Sequence, residues 1–224
     1  MKISHRLVII IAVFITCLIT ANVIAVKVIS FGSFILPAAV FVFPISYIFG
    51  DILTEVYGYR VARRVIWLGF ACNLIFVFFA WIGQILPSAP FWEGQDAYKS
   101  ILGYTPRLLA ASFAGYLVGE FVNSFVLARM KILTKGRWLW SRTIGSTILG
   151  EGLDTAIFIT VAYIATPVFA PVLIFNHWIT KVGIEVIFTP VTYIIVNWLK
   201  RKEGIDTFDH RTRYNPFSIT EKGQ

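Results

Sequence analysis

Seven ionisable side chains lie inside otherwise apolar runs of this sequence, and they are the residues best suited to chemistry. They are Asp51, Glu55, Glu120, Glu151, Asp154, Lys181 and Glu185. A charge in hydrocarbon costs roughly 3 kcal/mol or more, so such groups face a protein interior or a wet cavity and often mark a solute path. Asp51/Glu55, Glu151/Asp154 and Lys181/Glu185 are spaced by three or four residues, which places each pair on one helix face. The pattern predicts a polar site between helices.

The donors and acceptors of this set suit a small planar heterocycle. Ionised carboxylates only accept hydrogen bonds, and one carboxylate can take the paired N–H donors of a guanine-like base edge. Lys181 supplies donors for a carbonyl or a nitrile, and Asn73 and Asn123 supply both kinds of group. Aromatic residues make up 16% of the chain and offer faces for stacking. Many other polar solutes would fit the same inventory.

A purely structural interpretation is the alternative. Lys181 and Glu185 would then form an ion pair within one helix, and the other mid-membrane carboxylates would hold helices together in protonated form. Asp51 and Glu55 would pair with basic residues one to three turns away, namely Arg60, Arg63 and Arg64. A single lysine cannot neutralise four mid-membrane carboxylates, so this interpretation does not account for the whole set.

Long apolar runs must position these side chains. The chain is 57% hydrophobic, above the roughly 45–50% of soluble domains. Six runs reach the roughly 20 residues that cross a bilayer: Leu7–Val26, Ile35–Val56, Val65–Leu86, Leu108–Leu127, Thr143–Ala165 and Val172–Leu199. The sequence predicts an all-α integral membrane protein with six transmembrane helices. Residues 1–199 would form the transmembrane domain and residues 200–224 a polar cytoplasmic tail.

The basic residues predict the orientation. With the N-terminus in the cytoplasm, 16 of the 20 Lys and Arg residues fall in cytoplasmic segments, as the positive-inside rule requires. Both termini are then cytoplasmic. The basic residues behind the net charge of +8 would attract anionic lipid headgroups, so no nucleic-acid partner is expected.

Two local patterns point to the polar site. In the second span, Tyr47, Asp51 and Glu55 recur every four residues on one face, below Pro37 and Pro44, which predict a kink. Spans four and five share a short motif, Gly119-Glu120-x-x-Asn123 and Gly150-Glu151-x-x-Asp154. Weak internal similarity of this kind is typical of transporter sites at the bilayer centre, although a similarity that spans only five positions leaves coincidence as an alternative. The short basic loop between these spans predicts that they are neighbours.

Enzyme chemistry finds no support in the sequence. The histidines are His5, His177 and His210, all near helix ends or in the tail, and no Gly-x-Ser-x-Gly or His-Glu-x-x-His motif occurs. A nucleotide-binding P-loop and a Cys/His ligand set for a metal are absent as well. We therefore expect no catalytic residues, no cofactor and no metal.

Five segments of the sequence carry familiar motifs. They are the run Phe43–Gly58 with Ala62-Arg63-Arg64, Ala110–Asn123, Ser146-Thr147-x-x-Gly150-Glu151-x-x-Asp154-Thr155, Lys181-x-x-x-Glu185 with Pro190, and Phe208-Asp209 with Tyr214-Asn215-Pro216-Phe217. In these segments the chain resembles the bacterial queuosine precursor transporter family, also called the vitamin uptake transporter family. The resemblance implies a six-helix inner-membrane importer of 7-cyano-7-deazaguanine and 7-aminomethyl-7-deazaguanine, which feed the queuosine modification of tRNA.

The resemblance also ranks the candidate substrate-binding residues. These are Asp154, Lys181, Glu151, Glu120, Asn123, Glu185, Asn73, Asp51 and Tyr47. Some members of the family carry amides where this chain has Glu120 and Glu151, which implies hydrogen bonding rather than an obligatory charge there. Asp51, Asp154 and Lys181 are then the strongest candidates.

The driving force stays open at this point. A proton-coupled carrier, a facilitator whose product is trapped by metabolism, and a substrate-binding subunit with an energising partner are all compatible with the sequence. The last would serve another vitamin-like heterocycle and is the alternative function. Ala21 and Ala25 have the spacing of a small-residue helix contact, so a homodimer also stays open.

Overall fold

A computed structural model describes residues 4–31, 34–103, 106–165, 169 and 171–218. Its helices are α1 (His5–Ile24), α2 (Phe43–Ile52), α3 (Tyr59–Ile85), α4 (Gln95–Leu102), α5 (Pro106–Leu133), α6 (Leu139–Tyr163) and α7 (Pro171–Glu203). A hairpin of β1 (Val28–Phe31) and β2 (Phe34–Pro37), a 3₁₀-helix (Ala38–Phe41) and a π-helix (Leu53–Tyr57) lie between α1 and α3. The described chain is thus almost entirely helical.

Five helices, α1, α3, α5, α6 and α7, are long and apolar enough to cross a membrane. They coincide with five of the six apolar spans that the sequence predicts. Their outer faces carry large apolar side chains, for example Phe79, Ile187 and Ile194, which are 64–71% exposed. Water would make such surfaces costly, whereas lipid tails accept them. The fold is therefore that of an integral membrane protein.

The second predicted span is not one continuous helix, and this prediction is wrong. Its first part is strand β2 and the 3₁₀-helix, and the α-helix begins only at Phe43. Pro44 lies in the first turn of α2, where its missing N–H would have no helical partner in any case. This proline therefore starts a helix instead of kinking one, and Pro37 ends strand β2.

Helices α5 and α6 pack along each other more extensively than any other described pair, which confirms that spans four and five are neighbours. Glycines make this possible. A Cβ built on Gly119 would lie 2.7 Å from Cβ of Asp154, and one built on Gly150 would lie 2.7 Å from Cβ of Asn123. The two backbones therefore approach closely, as small residues allow in membrane helices.

The segment after α7 folds back over the ends of the helices. Its backbone and side chains bond to the start of α3: the Tyr59 amide donates to Asp209 at 2.9 Å, and Arg63 donates to the carbonyls of Arg213 and Asn215 at 2.9 and 2.8 Å. Gly58, with φ of +86°, lies where a Cβ would be 2.6 Å from Thr207. The division between a domain of residues 1–199 and a tail stays a prediction, and residues 219–224 lie outside the described part.

Candidate functional site

Lys181 is held between two carboxylates of the neighbouring helix. Its Nζ donates to Glu151 Oε2 at 2.8 Å and to Asp154 Oδ2 at 2.5 Å. Lys181 extends from α7, and both carboxylates extend from one face of α6. Glu185, the partner expected within the same helix, makes no ion pair with Lys181 in the described residues. The structural alternative of a Lys181/Glu185 pair is therefore wrong.

Two further helices reach this lysine cluster, which we define as Lys181, Glu151 and Asp154. The Tyr47 hydroxyl of α2 lies close enough to the Glu151 carboxylate to interact with it. Glu120 of α5 is 8% exposed, and its charge interacts with those of Glu151 and Asp154. Four helices thus bring together side chains that are distant in the sequence.

Asp51 and Asn123 form a second contact deeper in the same interior. The Asn123 amide donates to Asp51 Oδ1 at 3.0 Å, and Asp51 is 0% exposed. Oδ2 of Asp51 and Oδ1 of Asn123 have no hydrogen-bond partner among the described residues. Asn123 packs on Gly150, so the α5–α6 contact fixes the amide that serves Asp51.

Glu185 is the most isolated of the candidate residues. It is 0% exposed, and neither carboxylate oxygen has a hydrogen-bond partner in the described part of the chain. Its charge interacts with those of Asp51 and Glu151, so it lies near both contacts described above. Asn73, on α3, is 3% exposed, and no hydrogen bond joins it to any other described side chain of the site.

Glu55 has entirely different surroundings, which sequence reasoning missed. Its Oε1 is 2.8 Å from Arg142 Nη2, 2.7 Å from Lys200 Nζ and 3.6 Å from Lys131 Nζ. Both lysines also bind Asp206, at 2.5 and 2.9 Å. The structural alternative, in which Arg60, Arg63 and Arg64 would neutralise Glu55, is therefore wrong for this residue. The sequence did contain a signal for these partners: Lys131, Arg142 and Lys200 lie at helix ends that the predicted topology places on the same side of the membrane as Glu55.

The short repeat of spans four and five has a structural counterpart. Gly119 packs against Asp154, and Gly150 packs against Asn123. Each glycine thus contacts the last residue of the other motif, as expected for two antiparallel segments related by an approximate twofold axis. Such inverted elements surround the binding sites of many transporters, and here they place the lysine cluster beside the Asp51 contact.

The lysine cluster is partly accessible, which bears on what it can do. The Asp154 side chain is 22% exposed, against 14% for Lys181 and 7% for Glu151. Asp154 is therefore the less enclosed of the two carboxylates, and its oxygens are the ones for which the paired N–H donors of a ligand would compete with Lys181. Among the described residues, no three His, Cys, Asp or Glu side chains are grouped to hold a metal ion.

Comparisons with known proteins agree on one family. Residues 37–195 match the family described as "Putative vitamin uptake transporter". A "Probable queuosine precursor transporter" of Bacillus subtilis is 31% identical over 115 residues, which cover 51% of this chain and 50% of the relative. This chain therefore spans half the length of that relative.

Two longer matches have the same kind of name. The "Queuosine precursor transporter" of Escherichia coli is 25% identical over 72% of this chain and 73% of its own length. A "Probable queuosine precursor transporter" of Haemophilus influenzae is 26% identical over 71% of this chain and 68% of its own length. No solved structure matches the fold.

Proposed function

The chain belongs to the vitamin uptake transporter family, and from that premise we propose that it imports queuosine precursors. It is a multi-pass bacterial membrane transporter and not an enzyme. The substrates we propose are 7-cyano-7-deazaguanine and 7-aminomethyl-7-deazaguanine. The names of the relatives support this substrate class.

The lysine cluster is the observation that carries the proposal. A 7-deazaguanine presents a ring N–H and an exocyclic amine on one edge, which one carboxylate accepts together. Asp154, the most exposed member, would take this edge. Lys181, still bound to Glu151 at 2.8 Å, would donate to the opposite polar edge. Tyr47 and Glu120 would complete the walls of the site.

We also propose six crossings with both termini in the cytoplasm. Arg6, at the start of α1, forms a 3.0 Å ion pair with Glu203, at the end of α7. The two ends of the helical region therefore lie on the same side, which requires an even number of crossings. The five long helices alone would give an odd number, so the segment 34–57 supplies the sixth. A homodimer stays a prediction.

Restoration of queuosine tests the function. The gene alone should restore queuosine to tRNA in a host that cannot make the precursors and has no importer of its own, when a precursor is supplied in the medium. Asp154→Asn should weaken uptake, because the new amide donor faces the donors of the substrate. An unsatisfied buried polar group costs about 1–3 kcal/mol, which corresponds to roughly ten- to hundredfold in affinity. Lys181→Met should have a similar effect.

Matched controls make this test specific. Asp96→Asn and Lys99→Met change the same groups at exposed positions of the loop helix α4 and should leave uptake unchanged. Recovery of uptake in the double variant Asp154→Asn/Lys181→Met would show an ion pair that is only structural. Rescue that appears only with added ATPase subunits would favour a substrate-binding subunit for another vitamin-like heterocycle.

A further inference from the structure

Asp51 and Glu185 are buried acids that the proposed substrate contacts do not use. Both side chains are 0% exposed. Three of their four carboxylate oxygens, Oδ2 of Asp51 and both oxygens of Glu185, have no hydrogen-bond partner among the described residues. The fourth accepts from the Asn123 amide at 3.0 Å. The helices that carry the two acids, α2 and α7, pack against each other.

The groups that face these two acids are themselves acidic or neutral. Glu55 lies one turn along from Asp51, Glu120 and Asn123 face it from α5, and Glu151 faces Glu185 from α6. Lys181 lies one turn from Glu185, but its Nζ is directed to Glu151 and Asp154. Within the described chain, no Lys or Arg nitrogen comes within 4.0 Å of either carboxylate of the pair.

Such a pair is not stable with both members ionised. A carboxylate transferred out of water loses its hydration, and a second negative charge nearby adds repulsion. A bound proton removes one of the two charges, and with it their mutual repulsion, and it turns one of the unpartnered acceptors into a hydrogen-bond donor. The two acids therefore form a site that is completed by a proton, in contrast to the lysine cluster, which already holds its own cation.

We propose that Asp51 and Glu185 bind the proton whose inward movement drives uptake of the substrate. The proposal rests on the proposed function. Glu185 and Lys181 lie one turn apart on α7, and the charges of Glu185 and Glu151 interact, so the proton site and the substrate site share one helix. The proton enters from the outside, binds the pair while substrate occupies the lysine cluster, and leaves to the cytoplasm with it. No bond other than O–H is made or broken.

Transport in liposomes tests this assignment. The purified full chain is reconstituted, and uptake of labelled 7-cyano-7-deazaguanine is measured with an acidic exterior and, separately, as counterflow without any gradient. A gradient of one pH unit should support about tenfold accumulation for one proton per substrate, since each tenfold corresponds to about 1.4 kcal/mol. A protonophore should abolish the accumulation, and added substrate should carry protons into the liposomes, as read by an internal pH dye.

Two isosteric variants locate the site. Glu185→Gln and Asp51→Asn should lose the gradient-driven accumulation and the proton entry but retain counterflow, because the amides cannot exchange a proton. Glu93→Gln, at an exposed loop position, should behave like the unaltered chain. Thermal unfolding of each variant in detergent shows whether it is folded.

Each other result overturns the assignment. Accumulation by the unaltered chain that follows a sodium gradient, or that is insensitive to the protonophore, would exclude a proton site. Loss of counterflow together with accumulation in folded variants would place the two acids in the substrate site. Unchanged accumulation in both variants would show a structural role. Absence of counterflow in the unaltered chain would overturn the proposed function itself, and with it this proposal.

Discussion

Asp51 and Glu55 lie one helical turn apart, and each is 0% exposed, yet their surroundings are opposite. Glu55 Oε1 accepts from Arg142 at 2.8 Å and from Lys200 at 2.7 Å. Among the described residues, Asp51 accepts from one neutral donor, the Asn123 amide at 3.0 Å. The charge of Glu55 is thus neutralised by basic side chains at its Oε1, whereas the charge of Asp51, one turn away, has no basic side chain within 4.0 Å in the described chain.

The difference follows from depth. Glu55 lies near the helix ends, where long basic side chains can reach inward while their attachment points stay near the interface. Lys131 and Lys200 join α5 and α7 to the π-helix in this way, and both also bind Asp206. Further from the interface, no described Lys or Arg side chain forms an ion pair with Asp51. Burial alone therefore does not identify a functional acid in this protein, whereas burial without compensation does.

The largest expected effect is a difference in the stability of two variants, one at Glu55 and one at Asp51. Glu55→Gln should lower the free energy of unfolding by about 3–5 kcal/mol, since it leaves the buried Arg142 guanidinium without its counter-charge. Asp51→Asn should leave the stability unchanged or slightly increased, because its amide oxygen can still accept from Asn123 and no cation loses a partner. Unfolding in detergent, followed by circular dichroism, measures both.

Glu93→Gln is the control for the removal of a carboxylate, because this side chain is exposed. The distinction between the two acids would break down if Asp51→Asn destabilised the protein as much as Glu55→Gln. It would also break down if Glu55→Gln had no effect, because the basic side chains would then not depend on this carboxylate.

A smaller effect is expected at the glycine that positions the donor of Asp51. A Cβ at Gly150 would lie 2.7 Å from Cβ of Asn123 and 2.8 Å from the backbone oxygen of Gly119, so Gly150→Ala should force α5 and α6 apart. Overpacking of this kind costs about 1–3 kcal/mol. The substitution should also reduce transport, because it displaces Asn123 from Asp51.

Gly183→Ala is the matched control, because nothing lies within 4 Å of a Cβ at that position. It lies on α7 in the same membrane region and should change neither stability nor transport. If Gly150→Ala were equally harmless, the close α5–α6 contact would not be what holds Asn123 in place.

Sequence patterns predicted much of the scaffold but few of the partners. Apolar runs predicted five long helices correctly, and the short basic loop predicted that α5 and α6 are neighbours. Helical spacing shows which side chains share a face, but it does not show which helix they face. Spacing pairs Lys181 with Glu185 on its own helix and leaves an ion pair with Asp154 as one alternative among several, whereas the observed partners, Glu151 and Asp154, lie on α6.

The second span shows why the sequence alone did not predict where its helix begins. A proline within an apolar run is compatible with a kink in a long helix or with the start of a short one, and the choice depends on the preceding chain. Here the preceding residues form a hairpin, so Pro44 begins α2. Similarly, Arg63 resembles a membrane-surface arginine in the sequence, but its partners are backbone carbonyls about 150 residues away in the tail.

The smallest expected effect concerns pH and the exposed edge of the compensated region. Burial raises the pKa of Asp206, but hydrogen bonds and charges from Lys131 and Lys200 outweigh it, so the pKa of Asp206 is lowered. A lowered pKa means that the ionised form stabilises the fold at any pH above the ordinary pKa of about 3.9. This stabilisation is lost as the pH falls through the lowered pKa.

The Asp206 side chain is 45% exposed, so screening limits the effect to a few tenths of a kcal/mol. The unaltered chain should therefore be slightly more stable than Asp206→Asn at pH 6. The difference should begin to shrink below about pH 4 and disappear only below the lowered pKa of Asp206. A difference that grew as the pH fell would show that Asp206 opposes the basic side chains around Glu55 instead of helping to compensate them.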